Sequence, residues 1–197
     1  MTTLKLGSRG SEVATLQHRL NLVPDGIFGP ITEETVRQFQ ADSGLVVDGI
    51  VGPETWKAIG FDGPARKVTE IILHCTATPE GRNVSVQDIR RWHIEGNGWS
   101  DIGYHYVVLL DGSVKDGRPV SKIGAHCTGH NALSIGIAYV GGCAPDGKTP
   151  RDTRTPEQKK ALRELVASLQ RIYPDATVHC HNEFANKACP SFKIQDF

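Results

Sequence analysis

An eight-residue signature, Asp25-Gly26-Ile27-Phe28-Gly29-Pro30-Ile31-Thr32, returns 23 positions later as Asp48-Gly49-Ile50-Val51-Gly52-Pro53-Glu54-Thr55. The same offset relates Leu16-Gln17 to Phe39-Gln40, so the copied unit contains a helix as well as the turn after it. Val13, Leu16 and Leu20 fall at helical spacing, as do Val36 and Phe39, and each Pro stands near the first position of the next helix. The glycines Gly26, Gly29, Gly49 and Gly52 answer a backbone demand of the turns. A small all-α bundle of three helices is predicted, over 11–21, 31–42 and 53–59, forming a first domain at 1–62.

Phe61 to Arg66 is a short polar stretch containing Gly63 and Pro64, which sets a boundary near residue 63. Beyond it, strands predicted near 68–74, 104–110, 134–140 and 176–181 alternate with helices near 85–96 and 155–172. The second domain, 63–197, is therefore expected to be mixed α/β, a central β-sheet flanked by helices. The last helix is the best marked. Thr155 can cap it, Pro156 suits its first turn, and Leu162, Leu165, Val166 and Leu169 form one apolar face.

Three residues of this domain suit a zinc site with one open position: His74 in IILHCTATP, and His181 and Cys189 in HCHNEFANKACPSF. A catalytic zinc takes three protein ligands, imidazoles and thiolates among them, and leaves a fourth position for water. The aliphatic run before His74 places that residue at the end of a buried strand. His179 and His181 form an H-x-H pair that is an alternative source of ligands on one strand face. Cys75 and Cys180 adjoin the chosen ligands and are expected to point the other way, into the core.

Two resemblances follow from these motifs. LGSRGSEVATLQHRL, DGIFGPITEETVRQFQ and DGIVGPETW resemble the peptidoglycan-binding domain attached to many cell-wall hydrolases, over nearly all of residues 4–60. The blocks IILHCTATP, IRRWHIEGNGWSDIGYHYVVLLDGSV, GAHCTGHNALSIGIAYVGG, TPEQKKALRELVASL and HCHNEFANKACPSF resemble, in order and spacing, the zinc N-acetylmuramoyl-L-alanine amidases. That family includes amidase-type bacteriophage lysozymes and animal peptidoglycan recognition proteins. The resemblance implies one zinc ion per chain held by His74, His181 and Cys189, with Tyr104 and Lys187 as catalytic residues. It also implies a substrate groove lined by His126, with Asn131 in the same loop able to hydrogen-bond sugar or peptide. The implied reaction is hydrolysis of the amide between N-acetylmuramic acid and L-alanine.

The residue types fit that chemistry. Zinc lowers the pKa of a bound water from about 15.7 to about 7 and polarises a carbonyl. Lys187, two positions before Cys189, could stabilise an oxyanion, and Tyr104, a poor base with a reference pKa near 10, is expected to orient water and relay a proton. Recycling amidases of the bacterial cytoplasm have a glutamate where this chain has Ala138 and an aspartate where it has Cys189, which favours the phage-lysozyme and recognition-protein branch. Glu183 could act as acid or base, but a salt bridge or a hydrogen bond to a residue that holds the site is the expected role. His93 and His105 read as packing or structural residues, and Trp99 as a groove aromatic or a core residue.

The implied protein is a phage or prophage endolysin whose first domain holds peptidoglycan. The alternatives are a zinc-containing recognition protein that binds peptidoglycan without cutting it, a cytoplasmic recycling amidase, and a purely structural zinc closed by His179 or Cys180. Lys and Arg total 22, as do Asp and Glu, so no basic footprint points to nucleic acid. Residues 1–62 carry five Lys/Arg against eight Asp/Glu, net minus three, so wall binding is expected to work through shape and hydrogen bonds. No apolar stretch nears the roughly 20 residues of a membrane span, and MTTLKLGSRG lacks the apolar segment of a signal peptide. Synthesis in the cytoplasm, access to the wall after inner-membrane permeabilisation, a monomeric state and reduced thiols are expected, although Cys127 and Cys143 could pair under oxidising conditions.

Overall fold

The computed structural model describes residues 3–60 and 66–197. The expected boundary near residue 63 and positions 61–65 of the link lie outside them. The chain forms two compact units. One takes in the described residues up to Gly60 together with Ala167–Pro174, the other Arg66–Val166 and Asp175–Phe197.

The first unit is the expected three-helix bundle: α1 (Ser11–Arg19), α2 (Pro30–Asp42) and α3 (Pro53–Ala58). Pro30 and Pro53 open their helices, where a missing N–H costs nothing. Leu4, Val13, Leu16, Phe28, Val36, Val51 and Trp56 make the core. The repeat is explained by a buried glutamine in each copy. Gln17 Nε2 donates to Asp25 Oδ1 (2.7 Å), the Ile27 carbonyl (3.0 Å) and Thr32 Oγ1 (3.1 Å), while its Oε1 accepts from Gly26 N (2.9 Å). Gln40 repeats each bond with Asp48 (2.9 Å), Ile50 (2.9 Å), Thr55 (3.3 Å) and Gly49 (2.9 Å). The signature therefore encodes a polar hub that holds each turn against the helix before it.

This corrects two sequence readings. Gln40 rather than Phe39 is the fully buried residue beside Val36, because its amide is satisfied on every side. Only Gly26 and Gly49, at φ of 72° and 71°, need glycine's conformational freedom; Gly29 and Gly52 are extended helix N-caps. Replacing Gln40 by leucine should lower the unfolding free energy of this unit by about 2 kcal/mol or more, since Gly49 N–H and Thr55 lose a buried partner. The exposed Gln38→Ala variant should stay within about 0.5 kcal/mol. Urea unfolding of the full chain gives both values.

The second unit contains a five-stranded sheet in the order β4-β3-β5-β1-β7. Its strands are β1 (Glu70–Cys75), β3 (Tyr106–Val108), β4 (Val114–Asp116), β5 (Ser134–Tyr139) and β7 (Thr177–Cys180). β1 runs parallel to β5 and β7, and β3 is parallel to β5 and antiparallel to β4. A small parallel pair, β2 (Thr78–Pro79) and β6 (Gly142–Cys143), lies apart from it. The expected strand at 104–110 is shorter and starts after Tyr104. β4, β2 and β6 were not anticipated, since all three residues of β4 are exposed and the other two strands are too short to show a period.

The expected helix at 85–96 is two pieces. α4 (Val86–Arg91) starts at a capping box between Ser85 and Asp88 and runs into a π-helical turn, Trp92–Gly96. Val86 and Ile89 join Ile102, Val107 and Val140 in one core cluster. The last helix, α5 (Pro156–Ile172), begins as anticipated: Gln158 N donates to Thr155 Oγ1 (3.1 Å). Buried Gln158 also donates from Nε2 to the carbonyls of Val108 (3.2 Å) and Val140 (2.9 Å), tying the helix start to the ends of β3 and β5. Leu162, Leu165, Val166 and Leu169 are all buried. All five cysteines are free thiols.

Candidate metal centre

The centre is built at the carboxyl ends of the two adjacent parallel strands β1 and β7, where open α/β sheets collect their ligands. His74 is the next-to-last residue of β1, a central strand buried along nearly its whole length, so its ring is 1% exposed and rigidly held. β7 ends at Cys180 and a 3-10 turn, His181–Glu183, follows at once. Glu183 fixes that turn. One carboxylate oxygen accepts from Cys180 N (2.6 Å) and the other lies 3.1 Å from His179 Nδ1.

Cys189 comes from the loop beyond the turn, and this loop is pinned from several sides. Tyr139 donates its hydroxyl to the Pro190 carbonyl (2.8 Å), Ser191 to that of Gly142 (2.7 Å), and Asn182 Nδ2 to that of Phe192 (2.9 Å). Cys75 N donates to Cys189 Sγ at 3.3 Å.

The donor atoms of His74, His181 and Cys189 all lie within 4.8 Å of one another. Cys189 Sγ is 3.7 Å from His74 Nδ1, and the rings of His74 and His181 are centred 4.5 Å apart. Burial holds His74 well below the ordinary histidine range, with the charges of His126, His181 and Lys187 adding to the effect. Burial and then Lys187 do the same for His181. Both imidazoles are thus neutral, the form that binds a metal. The neighbouring Cys75 thiol and burial raise Cys189, which keeps it protonated until a cation displaces the proton. Two neutral imidazoles and one thiol in a cluster of this size fit a tetrahedral cation with one position free. Among the described residues, this is the one group of three or more His, Cys, Asp or Glu side chains arranged to hold a metal.

The other anticipated residues fall around this trio. Tyr104 stands beside it, its ring centred 5.3 Å from that of His74. Burial, then the Cys189 and Cys75 sulfurs, push its phenol up, so it remains a hydrogen-bond donor at any ordinary pH. Exposed Lys187 is close enough for its charge to depress both histidines. His179 is occupied elsewhere, between Glu183 and Thr177 Oγ1 (2.9 Å), and Cys180 is fully buried with its thiol pushed up to about 12. Neither closes the shell of the trio. Glu183 is engaged by its two hydrogen-bond contacts, to Cys180 N and His179 Nδ1.

His126 and Asn131 sit differently from the groove wall that the resemblance implied. His126 is buried behind His74, Nδ1 at 3.0 Å from His74 Nε2 and Nε2 at 3.4 Å from Ser134 Oγ. Asn131 Oδ1 accepts from the backbone N–H groups of His126 (2.8 Å) and Cys127 (2.9 Å), which shapes the loop carrying His126. His105 is structural as expected, accepting at Nδ1 from Gly136 N (2.9 Å) and reaching the Lys122 carbonyl (3.1 Å) through Nε2. His93 accepts from Gly103 N (2.9 Å) and packs between Trp99 and Tyr104, with ring centres 4.8 and 5.2 Å away.

Sequence reasoning missed Gly124, Ser134 and Gly136. A Cβ on Gly136 would lie about 2.5 Å from His126 Cγ, and one on Gly124 would lie 2.6 Å from His126 Cδ2. These two glycines make the slot for the ring. A glycine inside the strand pattern S-I-G-I-A was the available signal, because it marks close approach of another group. Ala138, the other small residue of β5, pairs in register with His74 itself.

The amino-acid sequence matches two family models, a putative peptidoglycan binding domain over residues 9–59 and N-acetylmuramoyl-L-alanine amidase over 64–192. The endolysin of Escherichia phage T7 is 43% identical over 125 residues, 64% of this chain and 82% of that protein. The endolysin of Enterobacteria phage K11 is 39% identical over 130 residues, 66% of this chain and 85% of that one. Among solved structures, the Ph2119 endolysin from Thermus scotoductus MAT2119 bacteriophage Ph2119 superposes with a TM-score of 0.55 at 34% identity, covering 66% of this chain and 79% of that one. The amidase match spans well over half of the residues and contains every member of the His-His-Cys trio, so this chain belongs to the N-acetylmuramoyl-L-alanine amidase family.

Proposed function

We propose that this chain is an endolysin-type amidase that uses zinc, held by His74, His181 and Cys189, to hydrolyse the amide between N-acetylmuramic acid and L-alanine in peptidoglycan. The observation that carries the reading is the trio itself, three donors within 4.8 Å at the end of the sheet with Tyr104 alongside, in a domain of the amidase family. Zinc bound there supplies Lewis-acid polarisation of the scissile carbonyl and acidifies water at its open position.

The chain's own residues supply the rest. The Tyr104 hydroxyl, which keeps its proton, donates a hydrogen bond that orients the attacking water or the substrate carbonyl. The Lys187 ammonium donates to the oxygen that gains negative charge in the tetrahedral intermediate. The first domain, 1–62, holds the wall and the second, 63–197, cuts it. Support for the wall-binding role comes from exposed apolar side chains at matched positions of the repeat, Val23 with Val46 and Ile27 with Ile50, on a module without cationic excess. No helix among the described residues is long and apolar enough to cross a membrane, and we place the site of action at the cell wall.

Mass spectrometry of products from purified peptidoglycan tests the proposal. Stem peptides beginning with L-alanine should appear with zinc-loaded protein and not after chelation. Cleavage of a different bond, or binding with no cleavage, overturns it. Tyr104→Phe should lower kcat about 10- to 100-fold with metal content unchanged, on the scale of a single positioned donor or proton relay. Full turnover by Tyr104→Phe removes that residue from the mechanism.

A further inference from the structure

A neutral imidazole carries one proton, so a histidine can offer its lone pair to a metal at only one of its two nitrogens. In His74 the nitrogen facing Cys189 Sγ is Nδ1, at 3.7 Å, and it is useful only if the proton sits on Nε2. The hydrogen bonds behind the ring decide where that proton sits.

The far end of the chain of contacts is the main-chain carbonyl of His130, which can only accept. Ser134 Oγ lies 2.8 Å from it and must spend its single proton there. The same oxygen can then face His126 Nε2, 3.4 Å away, only as an acceptor, which calls for a proton on that nitrogen. His126 is buried with its ring edge-on to those of His74 and His105, surroundings that favour the neutral imidazole. Its Nδ1 is therefore a lone pair, and it lies 3.0 Å from His74 Nε2. A lone pair at that distance selects the His74 tautomer with the proton on Nε2, leaving Nδ1 open toward Cys189.

We infer that Ser134 and His126 are positioning residues that transmit the direction of the His130 carbonyl through two imidazoles and lock His74 in its metal-binding tautomer. Gly136 and Gly124 lie against the His126 ring, where a Cβ on either would come within about 2.6 Å of it, and Asn131 holds its backbone N–H (2.8 Å). The metal-free protein is pre-set in this way before any cation arrives. The consequence for metal binding rests on the zinc reading above; the tautomers themselves do not.

The experiment is a long-range proton–nitrogen NMR spectrum of metal-free protein labelled with 15N-histidine, beside zinc affinity measured by chelator competition. Wild type should show the proton on Nε2 in both His74 and His126. Ser134→Ala removes the acceptor, so His126 and His74 should each become a mixture of tautomers. Zinc affinity should fall about 10- to 100-fold, the usual effect of losing a partner behind a metal ligand. His74 with its proton on Nδ1 in the wild type overturns the inference. So does a Ser134→Ala protein with unchanged tautomers, or with mixed tautomers and unchanged affinity. Failure of the zinc reading would appear separately, as wild type that binds no zinc yet shows the expected tautomers.

Discussion

Cys189→Ala is expected to abolish amide cleavage while the protein remains folded. The side chain sits on a loop pinned by Tyr139, Ser191 and Asn182, none of which depends on its sulfur. Its removal leaves two imidazoles where a catalytic zinc site needs three protein ligands. Loss of a residue behind a ligand already weakens such sites 10- to 100-fold, and loss of the ligand itself should exceed that, leaving little metal bound at micromolar zinc. The Cys143→Ala variant, altered in a buried thiol of β6 outside the trio, should keep both metal and turnover. Metal content by elemental mass spectrometry, read with the product assay, checks both variants. Stoichiometric zinc and normal turnover in Cys189→Ala would dismantle the centre described above.

The second large effect is expected at Lys187. It is exposed, two positions before Cys189, and its charge adds to the lowering of His74 and His181. Lys187→Ala should therefore retain zinc and lower kcat by about 10²–10³, the usual loss when one preorganised donor to a developing oxyanion is removed, with KM little changed. Lys187→Arg should recover only part of the loss, because a planar guanidinium does not place its protons where an ammonium does. A decrease below tenfold in Lys187→Ala would take Lys187 out of the mechanism.

How far the sequence could be read depended on which interactions leave a periodic trace. In the first unit α1 was legible from apolar spacing and α2 and α3 from their opening prolines within the repeat, while in α5 apolar spacing, Pro156 and the Thr155 cap all agree. His74, His181 and Cys189 were legible because a strand run precedes the first and strand and loop signals surround the others. Gln17 and Gln40 were seen only as part of a repeat, since periodicity scores a glutamine as surface and cannot see four bonds closing on one amide. The His74–His126–Ser134 line was hidden because its members lie on three separate segments, two of them paired strands and the third a loop shaped by Asn131. Tyr104 was expected on a strand and lies just before one, where His105 N and Gly117 N bond across the gap to Gly136 and His105 carbonyls without forming a regular ladder.

The stretch from Leu4 to Gly10 has no counterpart in the repeat, and it touches both copies. Leu4 exchanges backbone hydrogen bonds with Val51 in the second turn, at 3.1 and 2.8 Å. Gly7 N reaches Phe28 O (2.9 Å) and Phe28 N reaches Ser8 O (2.9 Å) in the first turn. The duplication has thus produced a clasped pair rather than two separable modules. Anyone transplanting this three-helix element onto another enzyme has to cut upstream of Leu4, because a graft that starts at the first obvious helix would carry both turns and leave the clasp behind.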